Sequence, residues 1–184
     1  MARSFDLDPV QELAVATVGD PGSRQFFLLA RGPHEGQPTH ATLSCEKFHI
    51  QGLVLRIQQL LEAQGMATGF DPAPVGKIPT PGEPDWRIGE LGLGYHESRR
   101  LFVIVARELL ENEEASESME INLETSAGEA ATARLWASPD RVRLFARQAE
   151  QVLSRGRPLC TYCGLPIDPS GHPCPASNGA RPIL

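Results

Sequence analysis

The chain has 184 residues, 41% hydrophobic and 22% charged, which suits one soluble globular domain with at most a small appendage. Its longest strongly apolar run, Leu101 to Ala106, is far short of the ~18 residues of a membrane span. The first eight residues hold two acids and no apolar core, so neither membrane insertion nor secretion is expected. Net charge is −6 but uneven: from Arg141 onward six arginines face Glu150 and Asp168, giving +4 and leaving −10 on the rest. An acidic body disfavours general nucleic-acid binding, whereas the basic end leaves room for a local anionic partner.

In chain order, Val18 to Gln25 carries Gly, Asp, Pro and Ser and precedes the apolar run Phe26 to Ala30, which predicts strand, tight turn, strand. Thr39 to Cys45 predicts a further strand leading into a helix over Glu46 to Gln64. That helix places Ile50, Leu53, Val54, Ile57, Leu60 and Leu61 on one apolar stripe. Residues 65–85, rich in Pro and Gly, read as a linker loop. The pattern then returns. Leu93 to Ala106 predicts a second hairpin, with an acidic insertion after it, Glu108 to Glu120, and an alternating stretch, Met119 to Leu123, as a short edge strand. Ala131 to Ala137 predicts a strand, and Pro139 to Ser154 a helix with Ser138 as its cap. The second helix repeats the stripe at Val142, Phe145, Ala146, Ala149, Val152 and Leu153. Gly65 and Gly156 act as stop signals. The expected architecture is a two-layer α+β sandwich built from a duplicated strand-strand-strand-helix unit. A largely antiparallel sheet is covered on one face by two helices. The expected body is 1–155, with halves at about 10–64 and 86–155, and the tail is 156–184.

The tail carries the sharpest chemical signal. Cys160-Thr161-Tyr162-Cys163-Gly164 is followed by Gly171-His172-Pro173-Cys174, so Cys160, Cys163, His172 and Cys174 offer four zinc ligands in a short span. Cys-x2-Cys lets two thiolates grip one ion from a tight turn, and Gly164 suits that turn. Too few apolar residues accompany the motif for it to fold alone, so metal would supply its folding energy. A thioredoxin-like redox pair needs a helix after the motif, which Pro166 and Pro169 oppose. A catalytic zinc needs an open position, which four ligands would close. Clustered thiols without a secretion signal point to a reducing, cytoplasmic setting.

Other residues give weaker signals. Cys45 reads as a small buried thiol; the sharper alternative pairs it with His49 as nucleophile and base. Gly89, Gly92 and Gly94 read as strand residues rather than a phosphate loop, because no helix follows them. Glu111, Glu113, Glu114 and Glu117 read as a solvated loop. His34, His40 and His96 have no metal spacing. Trp86, Phe102 and Trp136 read as core.

The segments Thr17 to Leu28, Glu46-Lys47, Trp86 to Gly89, Gly156 to Cys160 and Cys163 to His172, with Asn178-Gly179, together resemble a bacterial domain-of-unknown-function family. The likeness spans nearly the whole chain, and its tail motif is specific. The resemblance implies a cytoplasmic bacterial protein with a C-terminal zinc knuckle, and it implies no activity. The chain departs from the family pattern in its insertion between Glu108 and Glu129 and in Cys45, where leucine is expected.

The leading functional expectation is a non-enzymatic zinc protein that docks an unidentified protein partner, with the zinc in a structural role. The alternative is an enzyme acting on a phosphorylated or nucleotide-like small molecule, with Arg24, Arg99 or Arg100 contacting the anion at a hairpin mouth. A third, RNA binding through the basic end, is disfavoured by the overall charge.

Overall fold

The computed structural model describes residues 2–68, 79–111, 114–115, 117, 130–156, 159–165, 167 and 171–175. Among these, seven strands and two helices follow in the order β1 (Phe5–Leu7), β2 (Glu12–Val18), β3 (Gln25–His34), β4 (Gln37–Cys45), α1 (Lys47–Ala63), β5 (Trp86–His96), β6 (Leu101–Glu108), β7 (Thr132–Ala137) and α2 (Pro139–Ser154). The order strand-strand-strand-helix thus occurs twice, from β2 to α1 and from β5 to α2, as the sequence pattern predicts. The alternating stretch at 119–123 and linker residues 69–78 lie outside the described residues.

All seven strands form one mixed sheet that is not closed, in the order β1-β7-β6-β5-β4-β3-β2. Within each unit the strands pair antiparallel: short turns return the chain beside itself at β2–β3, β3–β4 and β5–β6, whereas residues 109–131 separate β6 from β7. The units meet where β4 runs parallel to β5. That pairing requires a long crossover, which α1 and the following loop supply. Strand alternation then aligns the core. Val15, Leu28, Leu43 and Trp86 form one row across four strands, and Leu93, Ile104, Leu135 and Leu7 form another across the remaining ones. Every one of these side chains is buried. The helix stripes complete the core: Ile50, Leu53, Val54, Ile57 and Leu61 from α1, and Val142, Phe145, Ala146, Ala149 and Val152 from α2, are buried. Leu60 and Leu153 sit at its margin, partly buried.

Trp86 and Phe102 are core residues, but Trp136 is not. In β7 the inward positions fall to Ala133, Leu135 and Ala137, so alternation turns Trp136 to the outer face. There its indole N–H donates to Asp6 Oδ1 at 2.9 Å, and the Arg99 guanidinium lies 4.6 Å from its ring centre.

The three-residue strand β1 has no counterpart among the elements read from the sequence. It pairs parallel with β7 at the far edge from β2. Yet Leu7 and Glu12 are only five Cα steps apart, a reach of at most ~18 Å, whereas six strand spacings laid flat span ~29 Å. The sheet therefore curls until its two edges approach. Residues 8–11 bridge the gap: the Asp8 and Gln11 amides donate to the Pro33 and Arg31 carbonyls, and Val10 donates to the Trp136 carbonyl. Gly32 admits this bridge, since a Cβ there would stand 2.9 Å from the Pro9 carbonyl oxygen.

Helix α2 lies along the outer strand β2. The buried Gln148 side chain accepts from the Val15 amide at 2.7 Å and donates to the Val15 carbonyl at 2.6 Å. A side-chain amide thus satisfies strand-edge groups that water cannot reach. Gln58 of α1 and Glu150 of α2 join the two helices at 2.8 Å. No helix among the described residues is long and apolar enough to cross a membrane.

Candidate metal centre

The metal motif begins just past α2, whose last residue is Ser154. The Cys160 amide donates to the Leu165 carbonyl and the Gly164 amide to the Cys160 carbonyl, both at 2.8 Å, which closes 160–165 into a tight loop. Gly164 has φ 72°, a left-handed conformation that a side chain would strain. The loop aims backbone amides at sulfur. Those of Cys163 and Tyr162 donate to the Cys160 sulfur and pull its thiol below the ordinary range. The Leu165 amide pulls the Cys163 thiol the same way, but lost hydration and the neighbouring sulfurs of Cys174 and Cys160 outweigh it and push that thiol up. Sulfurs this close resist sharing negative charge until a cation stands between them.

Gly171, at φ 91°, precedes the second half of the motif. His172 Nε2 lies 3.2 Å from Cys163 Sγ, and Cys174 Sγ lies 3.8 Å from Cys160 Sγ. All four ligand atoms fall within 4.8 Å of one another. A tetrahedral zinc with Zn–S bonds of ~2.3 Å places neighbouring sulfurs ~3.8 Å apart, and the nitrogen slightly nearer. The group therefore fits a tetrahedral ion. Cys160, Cys163, His172 and Cys174, which the sequence singles out, could hold a metal, and together they would fill all four positions. Among the described residues no helix follows Cys163, as a thioredoxin-like pair would require. Pro166 and Pro169 lie outside the described residues. Among the described residues no second cluster of three or more such ligands converges.

The other candidates separate from this centre. Cys45, the last residue of β4, is buried, and burial holds its thiol far above the ordinary range, where it is neither charged nor nucleophilic. His49 Nδ1 accepts the Glu46 amide at 3.2 Å, so that nitrogen serves the start of α1. Gly89, Gly92 and Gly94 lie within β5. Arg99 pairs with Asp8 at 2.7 Å while it stacks on Trp136, and Arg100 occupies the adjacent turn at φ 54°. Arg24 instead lines a cavity at the β2–β3 turn. Lys47 shares that cavity. It gave no chemical signal in the sequence beyond its place at a predicted helix start.

The fold and the cluster define a small two-layer α+β protein with a Cys3His group after α2 that could hold a metal ion. The chain belongs to the family described as "Protein of unknown function (DUF3090)", whose model matches residues 5–174, from the first residue of β1 to the fourth ligand. No curated protein and no solved structure matches the chain.

Proposed function

We propose that this protein is a non-enzymatic zinc protein, with a zinc ion folding residues 156–184 into a knuckle on the 1–155 body. The observation that carries the reading is the convergence of three sulfurs and one imidazole within 4.8 Å. Zinc suits this donor set because thiolate and imidazole are its preferred ligands, and four of them leave no site for substrate. When bound, the ion supplies a crosslink between the 160–163 and 172–174 segments. Four free cysteines support a reducing compartment, hence the cytoplasm. The repeated element order supports an internal duplication.

The knuckle serves as a docking point for a protein partner. Leu159, Tyr162 and Leu165 are 64%, 63% and 48% exposed, so three large apolar side chains crowd one short stretch of a mostly polar surface. Such crowding is what partner surfaces show and solvated loops do not. Elemental analysis of protein purified under reducing conditions tests the metal: about one equivalent of zinc is expected, and less than about half an equivalent refutes the assignment. Pull-downs with the intact chain and with Cys163→Ser test the docking role. Identical catches would remove the knuckle from it.

A further inference from the structure

The β2–β3 turn, the start of α1 and the end of α2 meet around a cavity of about 190 Å³. Two cations line it, Arg24 from the turn and Lys47 from the first position of α1. No acidic residue contributes to its lining. Asp20 belongs to the same turn but lies outside the cavity, and its carbonyl receives the Ser23 amide. We propose that this cavity binds the phosphate group of a small phosphate monoester, with Arg24 and Lys47 as its anion contacts. This inference is independent of the metal reading.

Charge carries the argument first. Arg31, Arg87, Arg99, Arg107 and Arg143 each hold a carboxylate. Arg24 and Lys47 pair with no carboxylate among the described residues; other arginines such as Arg56 do not either, but these two cations line one concavity. Two cations sharing a recess repel each other, an arrangement that an entering dianion relieves. The first turn of α1 itself carries no acid. Glu46, the cap residue, pairs with Arg87.

Shape narrows the ligand. Whole-molecule sites for larger ligands begin at ~300 Å³, so this cavity is too small to enclose a nucleotide. It has room for a phosphate and a few carbons. Phe26 and Leu153 supply an apolar wall for those carbons, and Gly22, at φ 102°, leaves the mouth without a side chain.

The test is a titration of the full-length, reduced protein, followed by amide NMR, with glycerol 3-phosphate in one arm and inorganic phosphate in the other. Saturable shifts at Gly22, Arg24 and Lys47 are expected with the ester, and weaker ones with inorganic phosphate. Arg24→Gln and Lys47→Gln should each weaken ester binding about tenfold, Lys47→Arg should retain it, and Arg56→Gln on the exposed side of α1 should leave it unchanged. Absence of saturable shifts, or an equal loss in Arg56→Gln, would overturn the site. Equal binding of inorganic phosphate would overturn the assignment to an ester.

Discussion

Replacing Gln148 by leucine keeps the size of a side chain that is only 6% exposed but removes both of its hydrogen bonds to Val15. Val15 is wholly buried, so its amide and carbonyl would be left without water as a substitute. Each orphaned buried group costs about 1–3 kcal/mol. The leucine offsets part of that by burying apolar surface, which leaves a net loss of about 2–4 kcal/mol. For a protein of this length that loss corresponds to a fall in Tm of about 4–16 °C. Urea unfolding at fixed free zinc should show a lower midpoint with an unchanged slope, since metal binding would otherwise shift the apparent stability. Gln59→Leu, on the exposed face of α1, should stay within about 0.5 kcal/mol of the parent. Gln148→Glu should also be destabilised, because a carboxylate cannot donate to the Val15 carbonyl. A Gln148→Leu change below about 0.5 kcal/mol, or a Gln148→Glu chain as stable as the parent, would refute the claim that this side chain seals the edge of β2.

Cobalt substituted into the apoprotein should give the visible spectrum of a tetrahedral thiolate site, and Cys163→Ser should weaken metal binding by more than the ~10–100-fold lost when an outer supporting group is removed. A thiol reagent applied to the folded, chelator-treated protein should label three cysteines, with Cys45 reacting only after unfolding. Cys45 also predicts a pH effect. Its folded thiol stays protonated while the unfolded one ionises near ~8.5, so raising the pH past that point favours unfolding by about 1.4 kcal/mol per unit. Between about pH 8 and 10 the parent should lose about 2 kcal/mol more than Cys45→Ala, measured by urea unfolding, and parallel losses would contradict the burial argument. Gly32→Ala would drive a methyl group against the Pro9 carbonyl and the Val10 backbone, at a cost of about 1–3 kcal/mol, again read by denaturant midpoint.

The elements that the sequence reveals are those written in a local code. Both helix stripes, the Ser138 cap and the turn at residues 19–24 are each settled by neighbours within a few positions, and each appears where the pattern predicts. The ligand set is local too: two short motifs within one tail. What the pattern hides depends on distant partners. Phe5-Asp6-Leu7 is too short for periodicity to mark it, and its strand character comes from pairing with β7. Gln148 carries no signal in the helix stripe. Its place three positions after Phe145 put it on the buried arc, but nothing local announces the Val15 backbone as its partner. Trp136 was expected inside because of its size, whereas strand alternation sends it outward. The cavity joins Arg24 to Lys47, 23 positions on, and to Leu153 and Gly156 at the far end of the body, so the sequence marks Arg24 as an anion contact but not its partner Lys47.

The pairing of Phe5 with Ala133 carries a consequence for biosynthesis. A ribosome adding about 5–20 residues per second needs roughly 6–25 seconds to deliver the second partner after the first has been made. Until then β1 has no mate, the bridge at residues 8–11 has only one shore, and the Trp136 carbonyl that receives Val10 does not yet exist. β1 is therefore synthesised before every other strand of the sheet and is among the last to settle. A growing chain arrested before residue 132 should leave it open to protease, and release of the strand β7 should close that window.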